Sequence, residues 1–164
     1  MSLRKIVLIV AFFFFVNSYQ FLFAQDQSFL AISVAAFDVI QQHESSIEGR
    51  LEFRVDKLSW KLNPLMGIMG DSNGAKHFYF GVFSEYIFGE SFILSPSFAP
   101  GLYFKGKSKD LSFILEFRSQ IEIAYRFNND MKIGVSVNHI SNASIKSPNI
   151  GVESLAFTFV FPFH

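Results

Sequence analysis

The stretch LSFILEFRSQIEIAYRF, residues 111–127, alternates apolar and polar residues with period two. Leu111, Phe113, Leu115, Phe117, Ile121, Ile123, Tyr125 and Phe127 form one row, broken only by Ser119, while Glu116, Arg118, Gln120, Glu122 and Arg126 stand between them. Side chains of a strand point alternately to its two faces, so this pattern gives a strand with one apolar and one charged face. A run this long exceeds the ordinary globular strand of about 5 to 6 residues. It suits a tilted strand crossing a bilayer, apolar outside and polar in the lumen.

The pattern recurs along the chain. Phe92, Leu94, Phe98, Leu102 and Phe104 alternate with Ser91, Ser95, Ser97 and Gly101, and Leu51, Phe53 and Val55 alternate with Arg50, Glu52, Arg54 and Asp56. Strands are predicted near residues 28–40, 48–57, 59–69, 76–88, 91–104, 111–127, 131–141 and 151–163. Breakers separate several of them: Gly70-Asp71-Ser72-Asn73-Gly74, Gly89-Glu90, the segment Lys105 to Asp110, and Asn128-Asn129-Asp130. Pro64 and Gly67 make the third segment the least regular. The predicted fold is all-β, an eight-stranded antiparallel transmembrane β-barrel of the bacterial outer membrane. A soluble β-sandwich is the alternative. The Phe-rich exterior and the closing row Phe157, Phe159, Phe161, Phe163 argue against it.

At 164 residues, 23 of them Phe, the chain has room for one domain. Without cysteine there is no disulfide framework, Cys-ligated metal or Cys nucleophile. A formal charge of zero offers no basic excess for nucleic acid. Arg4 and Lys5, the apolar run Ile6 to Val16 and the small residue Ala24 predict a cleaved export signal over residues 1–24, leaving 25–164 as a single barrel domain. An uncleaved anchor is the alternative, but Asn17, Ser18, Tyr19 and Gln20 interrupt the span of about 20 residues it would need.

With both termini periplasmic, Asn128-Asn129-Asp130 is an inner turn and residues 142–150 form an outer loop. His139 and Ser141 then lie near the outer leaflet, in the row of Met131, Ile133, Val135 and Val137. Glu153 shares the parity of Leu155 and Phe157, so all three polar residues are predicted to face lipid. A hairpin centred on Lys146 sets His139 opposite Glu153, with Cβ atoms about 4.5 to 5.5 Å apart. Ser141 is the next residue on that face. Nucleophile, base and base-orienting carboxylate are the parts of a hydrolytic triad, and Asn142 adds an amide suited to an oxyanion. The competing reading is a polar rim where strand meets loop.

Val137-Asn138-His139-Ile140-Ser141-Asn142-Ala143, followed by Lys146, Pro148-Asn149, Gly151 and Val152-Glu153-Ser154, resembles the catalytic hairpin of the outer-membrane lipid A 3-O-deacylase (PagL) family. That resemblance implies an eight-stranded barrel that removes the ester-linked acyl chain at the 3 position of lipid A. It gives the triad roles to Ser141, His139 and Glu153, an oxyanion role to Asn142 and a supporting one to Asn149. The family often has Gly where this chain has Ser144, whose backbone N–H is a further oxyanion donor. That donor survives the change, but glycine's conformational freedom does not.

The expected partners are lipid A or lipopolysaccharide and outer-membrane lipids, not nucleic acid, with a homodimer as one assembly open to the barrel. Lys105, Lys107 and Lys109, in a predicted outer loop, are candidate contacts for lipid phosphates; a solvated charged loop is the plainer reading. No cofactor is expected and no metal site, since His43 and His77 are isolated and nothing in the spacing of Asp71 and Asp110 supports a cation. A phospholipase-like esterase and a structural or adhesive barrel are the alternative functions.

Overall fold

The structure, a computed structural model, describes residues 28–55 and 62–163. The predicted export signal lies outside the described residues. The strands are β1 (Ser28–Phe37), β2 (Ser46–Val55), β3 (Asn63–Asp71), β4 (Lys76–Phe83), β5 (Tyr86–Phe88), β6 (Phe92–Phe104), β7 (Leu115–Arg126), β8 (Lys132–Ser141) and β9 (Val152–Phe163). All neighbours are antiparallel, in the order β4-β3-β2-β1-β9-β8-β7-β6-β5, and β4 also pairs with β6. That pairing closes the sheet. Because β4 and β5 both lie along β6, they make one stave, and the barrel has eight.

Among the described strands closure leaves no open sheet edge, which a bilayer requires because unpaired peptide groups find no water in hydrocarbon. Ser28 pairs with Phe163, so both ends of the described chain lie at the barrel end that carries the turns 89–91 and 127–131. The longer connections 38–45, 105–114 and 142–151 and the short turn 72–75 gather at the other end, called here the loop end.

Several boundaries differ from the sequence reading for local reasons. The sixth predicted strand starts at Leu115 rather than Leu111, because Ser112 has φ 72° and takes residues 111–114 into a loop. Leu111 is therefore fully buried with Phe37, Ile140 and Val152 instead of facing outward. The first strand ends at Phe37, where Asp38 turns the chain with φ 57°. The fourth stave is interrupted at Ser84, whose N–H donates across to the Pro96 carbonyl at 3.0 Å. Pro64 is tolerated because the β2–β3 ladder begins one residue later, at Leu65 opposite Arg54.

Outward rows of Ile, Val, Leu and Phe are exposed, among them Phe78, Phe80, Phe98, Ile121, Ile123, Val135, Val137, Leu155, Phe157 and Phe159. The lumen holds a chain of ion pairs. Glu52 accepts from Arg54 at 2.7 Å, Arg118 at 3.0 Å and the Tyr79 hydroxyl at 2.7 Å. Arg54 reaches Glu122 at 2.8 Å, Arg50 pairs with Glu48 and donates to Gln120 at 2.7 Å, and Ser154 donates to Glu48 at 2.6 Å. Gly67 permits this packing, since a Cβ there would lie 2.6 Å from Tyr79 ring atoms.

The loop end is knotted by two carboxylates. Asp71 accepts from Ser46 at 2.8 Å, Ser108 at 2.5 Å and the N–H groups of Asn73 and Ala75. Asp38 accepts from Lys109 Nζ at 2.7 Å and from the N–H groups of His43 and Glu44. Burial opposes ionisation of Asp38, but Lys109 and the two N–H donors outweigh it and hold the carboxyl below its ordinary range.

Two outcomes follow from these contacts. Glu52→Ala leaves buried Arg118 without its carboxylate partner, while Arg54 keeps Glu122, and is expected to destabilise the folded barrel by about 3 to 5 kcal/mol, measured by urea unfolding in detergent or lipid. A depressed Asp38 pKa means that its contribution is present above the ordinary carboxylate value and lost as pH falls through the depressed one. Hydrogen-exchange protection of residues 105–111 should therefore persist from neutrality into the ordinary carboxylate range and fall only below it, and Asp38→Asn should remove that step.

Candidate active site

Strands β8 and β9 bring the site together through their register. Val135 pairs with Phe157, Val137 with Leu155 and His139 with Glu153, all on the outward face. His139 Nδ1 lies 2.9 Å from Glu153 Oε1. The histidine side chain is 47% exposed and the glutamate 17%, so the pair sits on the outside of the barrel with its carboxylate partly covered. A carboxylate on one ring nitrogen fixes that nitrogen as the N–H and leaves Nε2 as the basic atom.

Ser141 is two residues further toward the loop end on the same strand and lies opposite Phe117 of β7. It is 8% exposed. Ser119, the residue that interrupts the apolar row of β7, lies directly across from His139 and is exposed. Glu153, His139 and Ser119 thus form one level across three strands, and Ser141 stands one step above it.

The chain leaves β8 through a type I′ turn. Ile145 N–H donates to the Asn142 carbonyl at 3.0 Å, and Ala143 and Ser144 have φ 52° and 64°. Ser144 therefore keeps a left-handed conformation that favours glycine, and Asn149 Nδ2 donates to its Oγ at 3.3 Å. The side chain of Asn142 is fully buried and its amide donates to the Leu111 carbonyl at 3.4 Å. This corrects the expectation that the amide lies beside the nucleophile: Asn142 has inward parity and braces loop 105–114.

The three loop lysines separate. Lys109 is buried against Asp38 and Gln41, which corrects its expected contact with lipid phosphate. Lys107 is exposed, with its backbone N–H donating to the Asn73 carbonyl. Lys105 is exposed and bonded to Asp110 at 2.5 Å. That hydrogen bond and the Ser112 N–H hold the Asp110 carboxyl below its ordinary range. Lys105, Asp110, Ser112, Phe113 and Lys146 line a cavity of about 290 Å³. Lys146, whose Nζ is 6.0 Å from the Phe113 ring centre, is the rim cation that spacing alone did not single out. His77 is buried in the lumen and His43 is exposed.

The family comparison places this eight-stranded barrel in a class, the outer-membrane ester hydrolases. The sequence model of the family described as lipid A 3-O-deacylase (PagL) matches residues 40–162, and the chain belongs to that family. It is accordingly an outer-membrane carboxylic ester hydrolase of the lipid A deacylating kind. A search of curated proteins finds no match. Among solved structures, the crystal structure of the outer membrane enzyme PagL is similar with a TM-score of 0.68 and 22% identity, covering 82% of this chain and 99% of that one. De novo designed transmembrane β-barrels match with a TM-score of 0.62 and 8% identity, covering 85% and 97%. The Yersinia pestis outer membrane protein Ail in a phospholipid nanodisc matches with a TM-score of 0.52 and 12% identity, covering 84% and 100%. At these identities the structural likenesses carry the fold alone.

Ser144→Gly should relieve a left-handed non-glycine residue, worth about 1 to 2 kcal/mol, and leave the turn intact. Ser144→Val should open it, because a branched side chain tolerates positive φ poorly. Amide exchange at Ile145 reports both: slowed or unchanged in the first variant, accelerated in the second.

Proposed function

We propose that Ser141, His139 and Glu153 form a triad at the outer leaflet that removes the 3-O-linked acyl chain of lipid A. The observation that carries this reading is the 2.9 Å contact between His139 Nδ1 and Glu153 Oε1 on the outward face. A base on the outer wall suits a substrate that is itself a membrane lipid, because the acyl chain remains in hydrocarbon while its ester reaches the protein sideways. The loop end is the extracellular one in this reading, in keeping with the longer outer loops of such barrels.

In the first step Ser141 Oγ attacks the ester carbonyl as His139 Nε2 takes its proton. Glu153 holds the ring in the required tautomer and offsets the charge of the imidazolium. The turn 142–145 uses only the Ile145 N–H for its own closure, so the N–H groups of Ala143 and Ser144 remain to meet the oxyanion. Asn142 contributes through its backbone and through bracing the neighbouring loop, and Asn149 supports Ser144. The proton then passes from His139 to the 3-oxygen of the sugar, which leaves as the alcohol. Water, activated by the same imidazole, hydrolyses the acyl-serine and releases the fatty acid. Lys105 and Lys146, which line one loop-end cavity, and the exposed Lys107 are the cations this reading assigns to the phosphate groups of the substrate.

Lipid A incubated with the purified barrel should lose the mass of one acyl chain, as read by mass spectrometry. Ser141→Ala and His139→Gln should each lower the rate by about 10³-fold or more, and the double variant little further. Glu153→Gln should cost up to about 10⁴-fold, as expected when the imidazole loses its orienting carboxylate. Release of fatty acid from phospholipid but not from lipid A would overturn the substrate, and equal rates in wild type and Ser141→Ala would overturn the triad.

A further inference from the structure

Gly151 has no part in the chemistry just described, yet it touches the base. A Cβ built on it would lie 2.3 Å from His139 Cε1, 3.0 Å from Nε2 and 3.3 Å from Nδ1. Two non-bonded carbon atoms cannot sit 2.3 Å apart without one of them moving, and here the far side is an imidazole already tied to Glu153. The backbone does not call for glycine, since Gly151 is not among the glycines with positive φ. The space above its Cα is what the position supplies.

Resting on the triad reading, we propose that Gly151 is a positioning residue: its missing side chain is the seat of the His139 ring and turns Nε2 toward Ser141 instead of Ser119. The two hydroxyls flank the histidine in different directions. Ser119 lies level with it on β7, and Ser141 lies toward the loop end. Continuing the register beyond Ile140 and Val152 sets Gly151 opposite Ser141. An imidazole held to Glu153 by Nδ1 and resting its Cε1 corner on Gly151 is drawn to the loop end, the side of Ser141. A methyl group at 151 lifts the ring off that seat, and the ring then loses either its carboxylate or its aim.

The test uses the full-length barrel in detergent or bilayers, with an alkyl fluorophosphonate whose fluoride is displaced by an activated serine oxygen. Wild type should be labelled at Ser141. Gly151→Ala should be labelled, and should deacylate lipid A, about 100-fold more slowly, with kcat lowered and KM little changed, as expected for a catalytic group displaced by about 1 Å. Gly49→Ala is the matched control, because a Cβ there meets nothing within 4 Å, and it should behave as wild type. In wild type, a strong proton NOE between Gly151 Hα and His139 Hε1 should report the seat directly, which keeps the proposal testable if the alanine variant does not fold.

Wild-type rates in a folded Gly151→Ala, or absence of that NOE, overturn the role of Gly151 and leave the triad standing. Labelling of wild type at Ser119, or at no serine, overturns the triad and Gly151 with it.

Discussion

Everything in this molecule follows from the absence of water in the hydrocarbon of a membrane. Each peptide N–H and C=O must find a partner in the sheet, so the sheet must close, as it does where β4 meets β6 and β1 meets β9. Closure fixes register, and register fixes which side chains face out. Once Val135 and Val137 are committed to the outer wall, His139 is committed too, and Ser141 shares their parity although its neighbours cover it. The outward placement of the His139–Glu153 pair is therefore a by-product of strand parity, and it sets polar groups on a surface that otherwise excludes them. Near the end of a strand such exposure costs only about 0 to 1 kcal/mol, compared with about 2 to 4 kcal/mol for Arg or Lys at mid-membrane.

The parts of the structure that could be read from the sequence are those governed by near neighbours. Alternation in residues 111–127 disclosed the strand type, and a single hairpin set His139 against Glu153 because its two arms are 14 residues apart. The parts that could not be read depend on distant partners. Lys109 looks like a surface lysine until Asp38, 71 residues away, claims it. Asn142 looks like an oxyanion donor until the Leu111 carbonyl appears beside it. The start of β7 was misplaced because Ser112 takes a positive φ, for which alternation gives no sign. The break at Ser84 has the same character, being set by a carbonyl on the neighbouring strand.

The turn after Ser141 shows how one constraint displaces another. Two consecutive residues at positive φ, Ala143 and Ser144, are unfavourable for side chains with a Cβ. They persist because the surroundings hold them: Ile145 closes the turn, Asn149 grips the Ser144 hydroxyl and buried Asn142 anchors the turn to the next loop. Strain of this kind collects where a chain must present its backbone N–H groups to a ligand, and it survives only in a rigid frame. The Asp71 and Asp38 knots supply such a frame at the loop end.

The ion pairs that fill the lumen also bear on the barrier the protein sits in. Arg50, Arg54 and Arg118 with Glu48, Glu52 and Glu122 occupy the axis and are all less than a tenth exposed. A solute entering from either mouth meets fixed charges already spoken for. The described lumen is thus occupied by side chains instead of standing open as a channel. The His139–Glu153 pair lies on the outside of the wall, so the site proposed there leaves the interior free to be filled.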